Sequence, residues 1–138
     1  KSDSINILKI KYNCDLLNQY IISKGGVDFL VAFKRITNIL ESEKYSDLCF
    51  QKDLLKSEPE KNLYIEYNKV LNLIDSSNSF KFNVFNSLTK PINSFFENVK
   101  INDKNNLLKN NRLGLLSLIK SNLIQVVNFS KIIKGKEL

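Results

Sequence analysis

Arg35, Asn38 and Glu41 or Ser42 recur at three- and four-residue steps, so one stripe of a helix carries a forked donor, an amide and an acceptor. Such a set holds a ligand by hydrogen bonds rather than breaking covalent ones. The plainer alternative is a solvent-facing stripe in which Arg35 pairs with an acid on its own helix. Bond-breaking chemistry has little to work with in this chain. It contains no histidine, which removes Ser-His and Cys-His nucleophile pairs and every His-ligated metal. Two cysteines, Cys14 and Cys49, cannot complete a four-thiolate zinc site and are expected as free, buried or half-buried thiols. Gly25-Gly26 lacks the spacing of a phosphate loop and the Lys-Ser/Thr pair that follows one. Glu41/Glu43 and Glu58/Glu60 stand two apart on expected helices, face different directions, and read as surface acids and helix-start charge.

The net charge of +7 is unevenly placed. Residues 1–45 hold seven basic and five acidic side chains, residues 46–79 four and six, and residues 80–138 ten and three. The last part therefore carries the excess, and a one-sided basic field favours a polyanion, because each neutralised phosphate releases condensed counterions. A lysine-rich solvated surface, produced by an A/T-rich coding sequence, accounts for the charge equally well. Lys34, Lys90, Lys100, Lys104 and Lys109 are the candidates to face phosphates, which positions a nucleic acid without reading it. Phe95 and Phe96 are able to stack on unpaired bases, although helical spacing with Ile92 and Val99 assigns at least one of them to a core. Arg112 has two roles open to it: a phosphate contact, or a tie from the final helix to the loop after Val99 through Glu97 or backbone carbonyls. The polar loop from Asn98 to Asn106, with Asn102 at its centre, is a further candidate surface.

Helical periodicity supplies the elements that must position these groups. Ile7, Ile10, Cys14, Leu17 and Ile21 share one face of a first helix, which Gly25-Gly26 is expected to end. Val27, Leu30, Val31, Ile36, Ile39 and Leu40 outline the apolar face of a second, with Asp28 and Phe29 near its start. The stretch from Ser42 to Lys56 is irregular and pinned by Leu48, Phe50, Leu54 and Leu55. Ser57-Glu58-Pro59-Glu60 then opens a third helix, with Ser57 as cap, Glu60 three residues on, and Pro59 in the first turn, where its missing N–H is harmless. That helix runs to about Asp75 behind Leu63, Tyr67, Val70, Leu71 and Ile74. Phe80 to Val84 alternates like a strand, but Phe85 and Leu88 restore helical spacing and Ser79 can cap, so a helix is expected. Pro91 should break or kink it near Thr89-Lys90, with a restart at Ile92. A final helix spans about Leu107 to Ile133; its apolar run from Leu113 to Phe129 is interrupted by polar residues, whereas a membrane span needs roughly 20 mostly apolar ones.

Pro91-Ile-Asn-Ser-Phe95-Phe96-Glu97-Asn98-Val99-Lys-Ile101, a polar spacer, and Asn111-Arg112-Leu113-Gly-Leu115-Leu116 together resemble the helical anticodon-binding domain shared by arginyl-tRNA synthetases and the bacterial glycyl-tRNA synthetase β subunit, the DALR type. The β-subunit form is the closer resemblance, through Lys90 to Val99, Phe33 to Leu40, and Gln125 to Ser130. The chain also lacks the Ala-Pro-Glu-Arg-Met type of ending that the arginine enzymes carry. The resemblance extends from roughly Asp15 to Ile133.

The resemblance implies an all-α antiparallel bundle of five or six helices, a single domain over residues 1–138, and a non-catalytic role in recognising the anticodon loop of glycine tRNA. It implies no cofactor in this domain, ATP and Mg2+ being handled by a separate catalytic α subunit. The implied partners are that subunit, the remainder of the β subunit and the tRNA, in the cytoplasm and away from any membrane. A start at Lys1 and the short length fit a C-terminal piece of a longer chain. Glycine anticodons end in two cytosines, whose pairing edges offer one donor and two acceptors. The candidate RNA-binding residues are accordingly Lys34, Arg35, Asn38, Lys100, Asn102, Lys104 and Arg112. An arginine-enzyme domain and a basic helical module for an acidic protein partner are the alternatives.

Overall fold

The computed structural model describes residue 15 and residues 18–44, 50–76, 82–101 and 104–137, with the side chains of 75–76 and 126–137 left aside. Residues 18–22 are helical and turn at Ser23 into α1 (Lys24–Ser42). Ser23 makes this junction: its Oγ accepts from the Gly26 N–H at 3.1 Å, capping α1, and donates to the Tyr20 carbonyl at 2.6 Å. Gly25 and Gly26, expected to end the preceding helix, instead form the first turn of α1, and neither has a positive φ. Gly26 serves a close approach, since a Cβ there would collide with the Tyr20 carbonyl. Most of the expected first helix, including Cys14, lies outside the described residues, as does Cys49.

The buried face of α1 is Phe29, Ala32, Ile36 and Leu40, at three- and four-residue steps. Ile36 and Leu40 match the expected face. Val27, Leu30 and Val31 do not, being 47%, 43% and 61% exposed, so the first half of the helix is rotated relative to the expected stripe. Its apolar residues outnumber the positions that a core can take, and the aromatic ring of Phe29 buries more surface than either valine. The helix ends where Lys44 adopts φ 51, the left-handed conformation that stops a helix.

A short 3-10 turn (Lys52–Leu54) and the buried Leu55 lead to α2 (Glu58–Ser76). The Glu60 half of the expected capping box is present: Ser57 donates to Glu60 Oε2 from both its backbone N–H, at 2.9 Å, and its hydroxyl, at 2.8 Å. Leu63, Tyr67 and Val70 bury the inner face. The Tyr67 hydroxyl accepts from the Asn122 amide.

A 3-10 turn (Phe82–Phe85) feeds straight into α3 (Asn86–Asn98). The alternating stretch is thus helical where it is described; Ser79, Phe80 and Lys81 fall outside. The expected break before Pro91 does not occur, because Pro91 lies inside α3 with its ring buried. An internal proline costs about 3 kcal/mol, whereas fully burying one large apolar side chain contributes about 1.5–3 kcal/mol. Leu88, Ile92 and Phe95 are all at 0% exposure on this helix, so burial outweighs the missing hydrogen bond. Thr89 Oγ1, two residues before the proline, is left buried without a partner.

The last helix, α4 (Asn106–Glu137), starts behind Asn105, whose Oδ1 accepts from the N–H groups of Leu107 at 3.0 Å and Leu108 at 3.4 Å. It contributes Leu113, Leu115, Leu116, Ile119 and Leu123 to the core. α3 is the central element, packed against α1 and α2, while α4 packs on α1 and touches α2. Tyr20, Phe29, Phe82 and Phe85 close one end as an aromatic cluster with ring centroids 5.2 to 6.5 Å apart. The Tyr20 hydroxyl donates to Asn86 Oδ1 at 2.7 Å, and burial pushes its pKa up to about 12. The described residues form an all-α helical bundle without a strand, as expected, and contain no helix long and apolar enough to cross a membrane.

Candidate nucleic-acid interface

α1 and α3 lie side by side, and polar side chains line the outward surface from Lys34 onwards on α1 and along α3. On α1, Lys34, Arg35, Asn38 and Glu41 are exposed; on α3, Lys90 and Glu97 are exposed and Asn93 is half-buried between them. Arg35 joins the two rows. Its Nη1 donates to Asn93 Oδ1 at 3.2 Å, and its guanidinium carbon stands 4.8 Å from the centroid of the Phe96 ring. Two contacts on one partner helix thus orient a side chain that is otherwise free to swing. The intrahelical pair between Arg35 and an acid does not form among the described residues.

Phe95 takes the core role and Phe96 is more exposed. Phe95 is fully buried in the core, and Phe96 meets it edge-on at 5.6 Å while remaining half-buried beneath Arg35. Asn93, absent from the expected site, stands three residues before Phe96 on the side of α3 that Arg35 reaches from α1. Their spacing within the motif from Pro91 to Phe96 is the signal that places them together.

Arg112 is held differently. Only 8% exposed, it donates from Nε to Glu60 Oε1 at 3.2 Å and from Nη1 to the Lys100 carbonyl at 2.7 Å. Of its two open roles, the geometry is that of the tie, with Glu60 and a carbonyl as partners rather than Glu97. Burial alone would raise the Glu60 carboxyl, but the Ser57 hydrogen bonds and the adjacent Arg112 guanidinium outweigh it and hold the carboxyl below its usual value. By this route the cap of α2, the start of the loop after α3 and the body of α4 are fastened at one point.

The remaining candidates are scattered. Lys34, Lys90, Lys100 and Lys104 are exposed; Lys109 is paired with Glu43 at 2.9 Å; Asn102 lies outside the described residues. No group of three or more Cys, Asp and Glu side chains suited to a metal occurs among the described residues. The arrangement favours recognition, with a basic, hydrogen-bonding seam over an aromatic ring.

The comparisons agree with that class. Residues 29–132 match the family model of the DALR anticodon binding domain, and the chain belongs to that family. Its curated relatives include the glycine–tRNA ligase β subunits of Rickettsia felis, 32% identical over 133 residues, and of Rickettsia bellii, 30% identical over 129 residues. Each match covers 93% of this chain and 20% of the relative, so the chain spans about a fifth of the length of the β subunits it matches. No solved structure matches significantly.

Proposed function

We propose that this domain recognises the anticodon loop of glycine tRNA as the non-catalytic C-terminal part of a glycine–tRNA ligase β subunit. The observation that carries the proposal is the similarity to those β subunits across 93% of the chain, within a family of anticodon-binding domains. Glycine activation with ATP and Mg2+ belongs to the separate α subunit of the assembly, and the setting is the cytoplasm. Arg35 and Asn38 face the loop bases from α1; Lys34, Lys100 and Lys104, with Asn102 between the last two, face the RNA backbone. Arg112 supports them by anchoring the Lys100 carbonyl.

The test separates positioning from reading. In the assembled enzyme, Lys100→Ala or Lys104→Ala is expected to weaken binding of an anticodon stem-loop about equally for cognate and altered loops, and to flatten its salt dependence. Arg35→Ala or Asn38→Ala is expected to reduce the preference for cytosine at the last two anticodon positions by roughly 1–3 kcal/mol, the scale of direct base contacts. Glycine and arginine tRNAs bound equally well by the unaltered enzyme would overturn the glycine assignment.

A further inference from the structure

The seam between α1 and α3 carries more than a single arginine. Arg35 is exposed, yet it is fixed by two independent contacts to α3: the hydrogen bond to Asn93 Oδ1 at 3.2 Å and the stacking position 4.8 Å from the Phe96 centroid. A guanidinium has five N–H donors and no acceptor, so the amide atom turned towards it is the oxygen. The Asn93 NH2 group must then point away from Arg35. It is not a buried orphan, since the buried side-chain atoms without a partner among the described residues are Thr89 Oγ1 and Asn111 Nδ2. The NH2 group of Asn93 and the N–H groups of Arg35 not directed at Asn93 are therefore donors of one seam, on either side of the Asn93 oxygen that Arg35 already occupies.

A donor row selects among base edges. The pairing edge of cytosine has two adjacent acceptors, N3 and O2, beside its amino group. Uracil places an N3–H donor between two carbonyl oxygens, and a donor row meets that hydrogen head-on. We infer that Asn93 is a specificity-determining residue: its oxygen sets the Arg35 fork, and its NH2 group completes a donor pair that accepts cytosine and rejects uracil at one of the last two anticodon positions. Phe96 keeps the guanidinium plane in place beneath this pair, so the geometry exists before RNA arrives and little side-chain freedom is lost on binding. This inference rests on the anticodon-binding proposal.

The experiment uses the full-length β subunit with its α subunit and three hairpins: the glycine anticodon stem-loop, and the same loop with uracil in place of cytosine at each of the last two positions. Asn93→Leu removes both the oxygen and the NH2 group, and is expected to reduce cytosine preference at one position by roughly tenfold, on the scale of one base contact. Asn93→Asp keeps an oxygen towards Arg35 and turns a second acceptor outwards, where the uracil N3–H can meet it, so the preference at that position is expected to move beyond Asn93→Leu towards uracil. The salt dependence of binding and the thermal midpoint should stay at the unaltered values for the leucine variant, because neither charge nor core is touched. Unchanged cytosine preference in both variants, with the unaltered assembly still discriminating, overturns the inference alone. A uniform loss of affinity for all three hairpins does the same, since it marks a merely structural residue. An unaltered assembly that binds the three hairpins equally overturns the anticodon proposal and the inference with it.

Discussion

Two arginines reach from one helix to another in this domain, and their surroundings are opposite. Arg112 spans 52 residues of sequence to Glu60, with side-chain exposures of 9% and 1%, and meets a full negative charge and a carbonyl. Arg35 spans 58 residues to Asn93, lies at the surface, and meets a neutral amide and the face of an aromatic ring. The first pairing consumes the charge of the guanidinium. The second orients the group and leaves its charge and most of its donors unspent. An arginine enclosed with an acid fastens a fold, whereas one propped by neutral partners at the surface stays available to a ligand. That difference, rather than residue type, separates scaffold from candidate interface.

The contrast predicts unequal costs of removal. Arg112→Ala strands the Glu60 carboxylate in the interior and is expected to lower stability by about 3–5 kcal/mol, as breaking one side of a buried pair does. Arg35→Ala removes one exposed hydrogen bond and one cation–π contact, for a loss of about 1 kcal/mol or less. Urea denaturation of the two variants measures both. Equal losses would erase the distinction between the two sites.

Acid sharpens the same comparison with a smaller effect. The Glu60 carboxyl is held below its ordinary value of 4.5, so the folded state binds fewer protons there than the unfolded chain. Its contribution is fully present above that value and is lost as pH falls through the depressed folded pKa. Stability measured from pH 6 downwards should therefore drop, and Glu60→Gln, already weakened at neutral pH, should drop less steeply below about pH 4.5. The Arg35 seam contains no carboxylate partner, so Asn93→Ala should leave the slope of the unaltered domain unchanged. Parallel acid profiles for Glu60→Gln and the unaltered domain would show that the carboxylate is not the group being protonated.

What was legible in the sequence follows the range of the interactions. The Ser57 to Glu60 cap is a four-residue signal, and it formed as the spacing requires. The core of α2 was equally readable, Leu63, Tyr67 and Val70 being buried on the expected face. α1 was not: Val27, Leu30 and Val31 compete with Phe29 and Ala32, and only the neighbouring helices decide which set is buried. Gly26 looked like a stop because the Tyr20 carbonyl that needs its missing Cβ is brought against it only by the bend at Ser23, which local periodicity does not describe. Pro91 has a strong local preference, overridden by long-range burial of Leu88, Ile92 and Phe95. In the candidate site, the tie of Arg112 to a carbonyl of the loop after Val99 was legible, Lys100 lying 12 residues away, whereas Glu60 and Asn93 stand 52 and 58 residues from their arginines and no spacing rule connects them. Asn93 was passed over for that reason.

The finest test of the contrast is Arg35→Lys, which is expected to change stability by only a few tenths of a kcal/mol, as surface substitutions usually do. Lysine keeps the positive charge, so the salt dependence of RNA binding should stay close to that of the unaltered assembly. It loses the planar fork, and with it both the stacked position over Phe96 and the fixed direction of the donors beside Asn93. A point charge on a flexible stem attracts any loop but does not distinguish adjacent acceptors from an acceptor–donor–acceptor edge. Cytosine preference at the last two anticodon positions should therefore fall by about 1 kcal/mol or more while overall affinity for RNA changes little. Titrations of matched and uracil-substituted hairpins at two salt concentrations resolve the two effects. Retained preference in Arg35→Lys would mean that Arg35 contributes charge alone, and the orientation that Asn93 and Phe96 impose on it would then have no part in recognition.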